Sequence, residues 1–578
     1  MSLTDFFYKD KPYLPSGKPL YHVDIYEDII EEKENNEFLI TLALNKKTKS
    51  APPVVPGKKY LIQQRFLDWN SSRVSGRIME IDQEEEPSCV KLIENPMEYM
   101  KKIKDKDGIK KKAEAMIKDH FTESQKDAFY HVLNYNLSLI WGPPGTGKTY
   151  FLAVSLLIML EAYRKAGKPL KIMISAFTHP AIENCLKKIY QLNEEKKIWK
   201  EELFAVKLDY VKTQGCEGIL QVIKKENCPE YLSSHDRCII GGTTYSLLKP
   251  FKDDNTLKPF DILVIDEGSQ LRVPESLLVI SRLKEDGRLI IAGDDKQLPP
   301  IIKGIYPELE DGEPLLHSSI FDTLREADCD DGITCQLLEN FRMNETLCLY
   351  PALGIYGTDY TSVNKKVAGR KIYLHKKTSD DFIKKVVDPK YPLVVCISDG
   401  ITVGAENKAE ADLVAYIACY LRENLCDKDT RTPYNTDEKF WKDGLFIVSP
   451  HHVQIRAIKA ALSERRVYNP FVDTVEKMQG QEADAVIVSY GVADAELAMM
   501  EGEFIYNLNR LNVAITRGKA KVIVFLSRNL LTPDLQIMED PEAAAGISYM
   551  TGLEQFASEG EGWDFDMDEG ATLTVYRR

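Results

Sequence analysis

A short glycine-rich segment, GPPGTGKT at residues 142–149, has the residue types needed to bind a triphosphate. It stands between an apolar strand candidate, Leu137–Trp141, and an apolar helix candidate, which is the context that a P-loop requires. Glycines let backbone N–H groups wrap a phosphate, and the helix N-terminus adds a favourable dipole. We expect Lys148 to reach the β- and γ-phosphates and Thr149 to offer a hydroxyl to Mg²⁺. The predicted nucleotide contacts are Gly142, Pro143, Pro144, Gly145, Thr146, Gly147, Lys148 and Thr149.

An acidic pair at the end of a second apolar run supplies the other half of such a site. Ile262–Ile265 is a strand candidate, and Asp266 and Glu267 follow it directly. Asp266 would reach the metal, and Glu267 could orient the attacking water. An ordinary acidic pair that ends a strand is the alternative, and the P-loop lysine weighs against it. P-loop and acidic pair together indicate a nucleotide hydrolase and leave its substrate open.

Four further side chains could complete a catalytic cleft. Gln297 follows the strand candidate Leu289–Ala292 and could sense a γ-phosphate, while the amide of Gln125 could pair with N6 and N7 of adenine. Arg342 and Arg517 could reach a γ-phosphate from a second domain and stabilise developing charge. A single glutamine or arginine is more often only solvated, so these assignments depend on the whole set.

The charge balance neither requires nor excludes a nucleic-acid partner. The 578-residue chain has a net charge of −14, but eleven of its acidic residues follow Thr532. Residues 101–118 carry eight lysines against three acids, a pattern more typical of a solvated helix face than of a binding patch. A groove that follows a strand needs local positive potential and backbone donors rather than a basic chain. The charge therefore argues mildly against nucleic acid.

Cysteine spacing and apolar runs bear on the compartment. The eleven cysteines are scattered singly without a CxxC pair, which disfavours a structural zinc or iron–sulfur cluster and fits free thiols in a reducing compartment. The N-terminal segment lacks a secretory signal, and the longest apolar run, Phe151–Leu160, is too short to span a bilayer. We expect a soluble intracellular protein, cytoplasmic or nuclear, with no membrane partner.

Upstream of the P-loop, the pattern predicts a small β-barrel and a helical stalk. Residues 96–120 are lysine-rich with a helical pattern and would form the stalk. The barrel, over residues 1–95, could touch a substrate or serve only as a scaffold. Its strand candidates, separated by turn-forming stretches, are Leu20–Glu27, Glu37–Leu44, Lys59–Phe66 and Arg73–Ile81.

From residue 121 onward, apolar strands alternate with helices, which is typical of α/β domains with parallel sheets. We predict one such domain over 121–330, with a polar helical insertion at about 187–237, and a second over 331–530. The acidic segment 531–578 is predicted to be a mobile or weakly packed tail. The strand candidates are Leu137–Trp141, Lys171–Ser175, Cys238–Gly241, Ile262–Ile265 and Leu289–Ala292, then Leu393–Ile397, Phe446–Val448, Val486–Val488 and Val522–Leu526.

Seven motifs stand in order along this part of the chain: GPPGTGKT, SAFTHPAIEN, IDEGSQ, GDDKQLPP, LENFRMN, TVEKMQGQEAD and RLNVAITRGK. The series resembles superfamily 1 helicases, in the group that contains the nonsense-mediated-decay RNA helicases and the replicative helicase–nucleases. It is most similar to the helicase half of proteins fused to a RecB-type nuclease, and the likeness spans residues 121 to about 528. The resemblance implies two RecA-like P-loop domains, with the N-terminal barrel as an accessory domain. The nuclease has no counterpart in the sequence.

The resemblance also assigns roles to single residues. It implies an adenine contact at Gln125, base stacking by Phe341 and a ribose contact at Glu482. The other nucleotide roles repeat those inferred from the residues: Lys148 and Thr149 for phosphate and Mg²⁺, Asp266 and Glu267 for metal and water, Gln297 as sensor, and Arg342 and Arg517 as arginine fingers. The implied contacts with a nucleic-acid backbone are Thr178, His179, Thr243, Thr244, Ser449, Pro450 and Thr474.

Three positions depart from the family's usual pattern. Gly268 and Gly518 stand where alanine is commoner, and Phe341 stands where tyrosine is usual. None of these changes removes a group needed for hydrolysis, so we expect an active ATPase.

The function that the resemblance implies is an ATP-driven helicase that uses Mg²⁺ and moves 5′-to-3′ along single-stranded DNA or RNA. A translocase or ribonucleoprotein remodeller that separates no duplex is one alternative. A nucleotide-gated nucleic-acid-binding scaffold is another, in which the acidic segment recruits a partner. We expect a monomeric motor, with any protein partner engaged through the acidic segment or the barrel. The sequence does not distinguish DNA from RNA.

Overall fold

The computed structural model describes residues 88–105, 107–209, 221–251, 257–301, 318–328, 332–478, 480–567 and 570–578, together with six short N-terminal strands. These strands are β1 (Tyr21–Asp24), β2 (Ile30–Lys33), β3 (Glu37–Ile40), β4 (Ala43–Leu44), β5 (Tyr60–Arg65) and β6 (Val74–Glu80). All their pairings are antiparallel, with one sheet in the order β4-β1-β6-β5 and a separate β2-β3 pair. Closure into the predicted barrel falls on residues outside the described ones.

The predicted stalk is helical only in short pieces. After α1 (Ser88–Glu94), the chain forms α2 (Pro96–Tyr99) and α3 (Ile109–Glu114) before α4 (Glu123–Asn134). Gly108 precedes α3 with a φ of 63°, a left-handed conformation that glycine adopts without strain. The predicted helical stalk over 96–120 therefore contains two short helices, α2 and α3, rather than one continuous helix.

The first large sheet is entirely parallel. Its order is β10-β9-β11-β8-β12-β13-β7-β14. All five strands predicted for this domain are present, and their apolar runs are buried because helices cover both faces. The bounds are β7 (Leu137–Trp141), β8 (Leu170–Ser175), β9 (Ala205–Asp209), β10 (Gln221–Lys224), β11 (Arg237–Gly241), β12 (Phe260–Ile265), β13 (Leu283–Gly293) and β14 (Thr334–Gln336).

Two predictions about this domain are wrong in detail. The stretch 187–237 is not a helical insertion, since it contains β9 and β10, which extend the sheet at one edge. Short strands between polar stretches carry too little periodicity to be distinguished from helix. The boundary at 330 is also too early, because β14 pairs with β7 and therefore belongs to the first sheet.

The second large sheet has the order β19-β18-β20-β21-β17-β23-β22. Its first five strands are mutually parallel, and the four predicted strands are among them. Between the two sheets, β15 (Glu339–Asn340) pairs with β16 (Thr361–Ser362). The bounds are β17 (Leu393–Asp399), β18 (Leu445–Val448), β19 (Val472–Asp473), β20 (Ala483–Ser489), β21 (Gly518–Ser527), β22 (Glu561–Asp566) and β23 (Thr572–Arg577). The predicted pair of α/β domains is confirmed.

The C-terminal segment is an integral part of the second domain, so the prediction of a mobile or weakly packed tail is wrong. Strand β23 pairs antiparallel with β17, the last of the five parallel strands, and β22 pairs with β23. Leu573 and Val575 of β23 are buried, while most side chains of β22 remain exposed. The acidic residues of β22, Glu561, Asp564 and Asp566, thus face solvent on an edge hairpin, which the number of acidic residues alone does not reveal.

Helices cover the two large sheets. One of the two longest helices of the first domain follows the P-loop, and its residues 151–162 are all buried, which accounts for the long apolar run. Within the described residues, no helix combines the length and apolarity needed to cross a membrane. After α4 the helices are α5 (Lys148–Lys165), α6 (His179–Lys196), α7 (Cys228–Ser234), α8 (Thr244–Leu248), α9 (Val273–Ile280), α10 (Ile320–Glu326), α11 (Glu345–Pro351), α12 (Lys365–Ala368), α13 (Asp381–Val386), α14 (Lys408–Asn424), α15 (Asp437–Lys439), α16 (His452–Glu464), α17 (Ala495–Met500), α18 (Gly502–Ile505), α19 (Leu508–Ile515), α20 (Arg528–Leu531) and α21 (Pro541–Ser558).

Candidate nucleotide-binding cleft

The P-loop joins the end of β7 to the start of α5. Gly145 and Gly147 have φ values of 78° and 77°, which let the backbone turn tightly before the helix begins. Lys148 Nζ donates a hydrogen bond to the carbonyl oxygen of Gly142 at 2.5 Å. A Cβ on Gly142 would overlap the Lys148 side chain, so the lysine lies across a position that only glycine can occupy. The loop is therefore shaped as a phosphate cradle with the lysine inside it.

The acidic pair lies at the carboxyl end of β12. Burial, reinforced by the adjacent Glu267, raises the pKa of Asp266 to about 7, although Lys148 opposes the shift. Glu267 has a left-handed backbone with φ 52°, a strained conformation for a residue with a side chain. Among the described residues, its Oε2 is buried without a hydrogen-bond partner. An unsatisfied, buried carboxylate oxygen next to Asp266 in the chain fits a site that binds a hard cation and a water.

The predicted sensor and one predicted finger meet across the two domains. Gln297 Oε1 accepts a hydrogen bond from Arg517 Nη2 at 3.0 Å, and Gln297 Nε2 donates to Asp294 Oδ2 at 2.8 Å. Arg517 is 2% exposed, and its burial, with the nearby charge of Arg342, lowers its pKa to about 10. The guanidinium therefore stays cationic at neutral pH, inside the cleft.

The second predicted finger lies directly against the P-loop. The backbone N–H of Phe341 donates to the Gly145 carbonyl at 2.8 Å, and a Cβ on Gly145 would be 2.7 Å from Arg342 Cβ. Arg342 Nε donates to Glu482 Oε2 at 2.8 Å, and Lys519 Nζ pairs with the other carboxylate oxygen at 3.2 Å. Burial alone would raise the pKa of Glu482, but these two cations lower it to about 2. The residue assigned to the ribose is thus an ion-pair partner of the finger.

Gln125 and Phe341, the two residues assigned to adenine, lie beside Gly147 of the P-loop. Gln125 is buried, accepts from the Thr122 N–H at 3.3 Å and donates to the Thr146 carbonyl at 3.1 Å. Phe341 is 39% exposed. A Cβ on Gly147 would be 3.5 Å from Gln125 Nε2 and 3.8 Å from Phe341 Cδ2. An amide and an exposed ring therefore stand together beside the loop, as base recognition requires.

Both of the unusual glycines, Gly268 and Gly518, fill positions with no room for a side chain. A Cβ on Gly268 would be 2.7 Å from Ile291 Cγ2, and a Cβ on Gly518 would be 2.6 Å from Val522 Cγ2 and 2.8 Å from the Lys521 carbonyl oxygen. Alanine at either position would force its neighbours to move. The departures from the usual alanine are therefore matched by the packing of this chain.

Sequence reasoning missed the residues that bind the sensor loop, residues 294–297. Tyr356 OH donates to Asp294 Oδ2 at 2.9 Å, and Asn512 Nδ2 lies 2.7 Å from the same hydroxyl and 2.8 Å from the Lys296 carbonyl. Asn509 Nδ2 donates to the carbonyls of Asp295 and Gln297 at 3.1 and 2.7 Å. Asn512 belongs to the motif RLNVAITRGK, which offered a signal, whereas Asn509 and Tyr356 stand in none of the seven motifs.

Trp141, the last residue of β7, was also missed. Its Nε1 donates to Asp294 Oδ1 at 3.2 Å, and the Arg325 guanidinium lies 3.3 Å from its ring centroid. Arg325 also pairs with Asp295. The residue before the P-loop thus contacts the sensor loop through a cation–π and hydrogen-bonded cluster.

The residues assigned to a nucleic-acid backbone follow the carboxyl ends of four strands, and their exposure differs. Thr178 and His179 are exposed at the start of α6, where Thr178 caps the helix. Thr243, Pro450 and Thr474 are half-buried. Thr244 and Ser449 are buried, and in the described part of the chain their hydroxyls have no hydrogen-bond partner. These two could touch a strand only after a local opening.

Two sequence-family models match successive parts of the chain. Each describes an AAA domain, the first over residues 125–303 and the second over residues 316–529. The DNA replication ATP-dependent helicase/nuclease dna2 of Schizosaccharomyces pombe is 25% identical over 423 residues, which are 68% of this chain and 27% of that protein. The chain belongs to the superfamily 1 helicases. Residues 530–578 of this superfamily 1 helicase lie outside both family models.

Other comparisons place the superfamily 1 helicase among larger proteins. The DNA polymerase alpha-associated DNA helicase A of Saccharomyces cerevisiae is 23% identical over 71% of this chain and 65% of that protein. The chain therefore spans between about a quarter and two thirds of the length of these relatives. Among solved structures, arterivirus nonstructural protein 10 (helicase) with DNA aligns with a TM-score of 0.33 and 13% identity, over 70% of this chain and 61% of that chain. That score supports no residue correspondence.

Proposed function

We propose that this protein hydrolyses ATP with Mg²⁺ and uses the energy to move along single-stranded nucleic acid and separate duplexes. The observation that carries the proposal is the 3.0 Å hydrogen bond between Arg517 Nη2 and Gln297 Oε1. It joins a cation of the second domain to the predicted γ-phosphate sensor of the first. A cleft between two domains can open or close when the γ-phosphate is lost, so hydrolysis can move one domain relative to the other. An ATP site contained in one domain alone offers no such movement.

Within this proposal, each side chain around the P-loop has one task. Lys148 neutralises the β- and γ-phosphates, and Glu267, whose Oε2 is buried without a partner among the described residues, orients the attacking water. Thr149 and Asp266 would hold Mg²⁺, which when bound neutralises phosphate charge. Gln125 and Phe341 would hold the adenine from the side of Gly147.

Arg342 and Arg517 would complete the cleft from the second domain. Arg517 is already beside Gln297, whereas Arg342 is held by Glu482 and lies next to Gly145. A triphosphate would compete with Glu482 for Arg342, since phosphate oxygens are strong acceptors for guanidinium. We propose that this exchange accompanies closure, and that hydrolysis reverses it and advances the strand.

The strand itself would lie across the carboxyl ends of the two sheets, where Thr178, Thr243 and Thr474 offer hydroxyls. The relatives named above include DNA helicases, which supports DNA as a substrate. The 5′-to-3′ polarity rests on the motif resemblance alone. Strand displacement on matched DNA and RNA duplexes with 5′ or 3′ single-stranded tails would measure substrate and polarity together.

The ATPase assignment is tested by two substitutions and a matched control. Lys148→Ala and Glu267→Gln should each abolish ATP hydrolysis stimulated by single-stranded nucleic acid, since one loses the phosphate contact and the other the water-orienting carboxylate. Glu285→Gln removes a carboxylate that is 85% exposed and should leave turnover unchanged. Stimulated hydrolysis that persists in both site variants would refute the site.

A strand-displacement assay beside the ATPase assay separates the proposal from its nearest alternative. Stimulated ATPase activity with no duplex separation would identify a translocase or remodeller. Nucleotide binding without any stimulated turnover would favour a nucleotide-gated scaffold.

A further inference from the structure

Helix α21, which lies beyond both family models, is packed against the start of α19. A Cβ on Gly546 would overlap the carbonyl oxygen of Tyr506 and lie 3.3 Å from the Leu508 N. The two backbones therefore approach as closely as glycine permits. Thr516 and Arg517 directly follow α19. Because α21 fixes the start of α19, it also influences the position of Arg517.

Tyr549, on the same buried side of α21, contacts a second element. Its ring lies 4.9 Å from the ring of Tyr350 on α11, and the Tyr350 hydroxyl donates to the Tyr549 carbonyl oxygen. A Cβ on Gly354 would be 2.8 Å from Tyr549 Cε2, so the ring also packs on the helical turn Ala352–Tyr356, which follows α11. The Tyr549 hydroxyl lies 3.4 Å from Asn512 Oδ1, a long contact. Tyr549 thus stands between the turn and α19.

Both of these elements bind the sensor loop. The turn carries Tyr356, whose hydroxyl donates to Asp294, and α19 carries Asn512, whose amide reaches the same hydroxyl. Asn509 of α19 donates to the carbonyl of Gln297 at 2.7 Å. Tyr549, which packs between this turn and α19, therefore helps to position both elements that hydrogen-bond to Asp294 and Gln297.

We propose that α21 is a brace for the motor, in which Tyr549 is a positioning residue that sets how α19 presents Arg517 to Gln297. The proposal rests on the proposed ATPase function. Tyr549 touches neither the nucleotide nor the reacting atoms; it acts by packing on the turn of Tyr356 and on α19. Helix α21, which lies outside both family models, would in this way set the rate of ATP turnover.

The brace predicts a specific kinetic signature. Tyr549→Ala should lower kcat for ATP at least about tenfold, because small misplacement of a catalytic group is costly. The KM for ATP should stay within about twofold, since the P-loop and Gln125 belong to the first domain. Tyr549→Phe keeps the ring and loses only a long hydrogen bond, so it should restore most of kcat. Gln555→Ala, on the exposed side of α21, is the matched control and should match the unchanged protein.

The measurement is steady-state ATPase activity of the full chain with saturating single-stranded DNA or RNA, whichever stimulates the unchanged protein more, beside circular dichroism and thermal unfolding of each variant. A folded Tyr549→Ala protein with unchanged kcat would overturn the brace, as would an equal loss in the Tyr549→Phe variant. If Tyr549→Ala fails to fold, Tyr549→Leu, which retains apolar bulk, replaces it with the same expected split and the same overturning result. If the unchanged protein has no stimulated ATPase activity, the proposed function fails first, and the two failures are distinguished.

Discussion

At the scale of single residues, the two arginines of the cleft have different surroundings. Arg517 is buried and bound to Gln297, whereas Arg342 is paired with a carboxylate that is 44% exposed. An arginine already fixed beside the sensor loses little freedom when charge develops on a phosphate. Arg517 is therefore expected to contribute more to the chemical step, and Arg342 more to closure.

Arg517→Ala should lower kcat by about a thousandfold, the lower end of the range for arginine fingers, with ATP binding largely retained. Single-turnover hydrolysis and fluorescent-nucleotide binding measure the two quantities separately. Arg422→Ala removes a half-buried arginine paired with Asp437 and serves as the control. Loss of nucleotide binding together with kcat would mean that Arg517 holds the ground state instead.

The raised pKa of Asp266 predicts a pH-dependent metal requirement. The carboxyl must lose its proton to bind Mg²⁺, and burial keeps that proton on until the pH passes about 7. The Mg²⁺ concentration that half-saturates ATPase activity should therefore fall as pH rises from about 6 to about 8. A half-saturating concentration independent of pH in the unchanged protein would contradict the assignment.

Much of this site could be predicted from residue spacing, and part of it could not. The P-loop and the acidic pair are local, since strand, turn and residue types lie within a few positions of one another. The pairing of Arg342 with Glu482 joins residues 140 positions apart, and that of Arg517 with Gln297 joins residues 220 apart. Only the packing of two domains fixes such pairs. The motifs predicted a role for each of these residues, but no motif indicated that Glu482 would bind Arg342.

At the scale of elements, long apolar strands were predictable and short or acidic ones were not. Strand β7 is buried along its whole length and has flanking turns, so its bounds match the prediction. Strands β9 and β10 are only five and four residues long and follow polar stretches. In β22 the acidic side chains face solvent, and the local sequence does not show that β17 lies beside its hairpin partner.

Strand β23 offers a direct test of that hairpin. Val575 is fully buried and pairs with Cys396, whereas the adjacent Thr574 is half-buried on the opposite face. Val575→Asn should destabilise the second domain by about 3 kcal/mol, because an unpaired amide replaces a buried apolar group. Thr574→Asn, the matched control, should cost much less. Chemical unfolding of each variant measures the difference, and equal effects would mean that β23 is not packed as described.

At the scale of the whole molecule, charge limits how the protein could grip a strand. The chain carries −14, and the residues expected to contact a backbone are mostly hydroxyl-bearing rather than cationic. Few counterions should then be released on binding. Electrostatic attraction would contribute modestly, and hydrogen bonds to the backbone would contribute more.

This predicts a weak dependence of nucleic-acid affinity on salt. The slope of log K against log salt is about −0.7 for each phosphate neutralised on a single strand, so a slope shallower than about −2 is expected. Fluorescence anisotropy with a labelled oligonucleotide between about 50 and 200 mM salt measures it. A slope of about −5 or steeper would instead mean that lysines neutralise several phosphates. The lysines of residues 101–118 would then be the first to replace with alanine.

The cluster around Trp141 has an optical consequence. Trp141 is one of five tryptophans, and its indole is covered by the Arg325 guanidinium and hydrogen-bonded to Asp294 of the sensor loop. Indole emission depends on nearby charge and on hydrogen bonding. The protein therefore carries an intrinsic fluorophore at the junction of cradle and sensor, and its emission can follow the nucleotide cycle without an added dye.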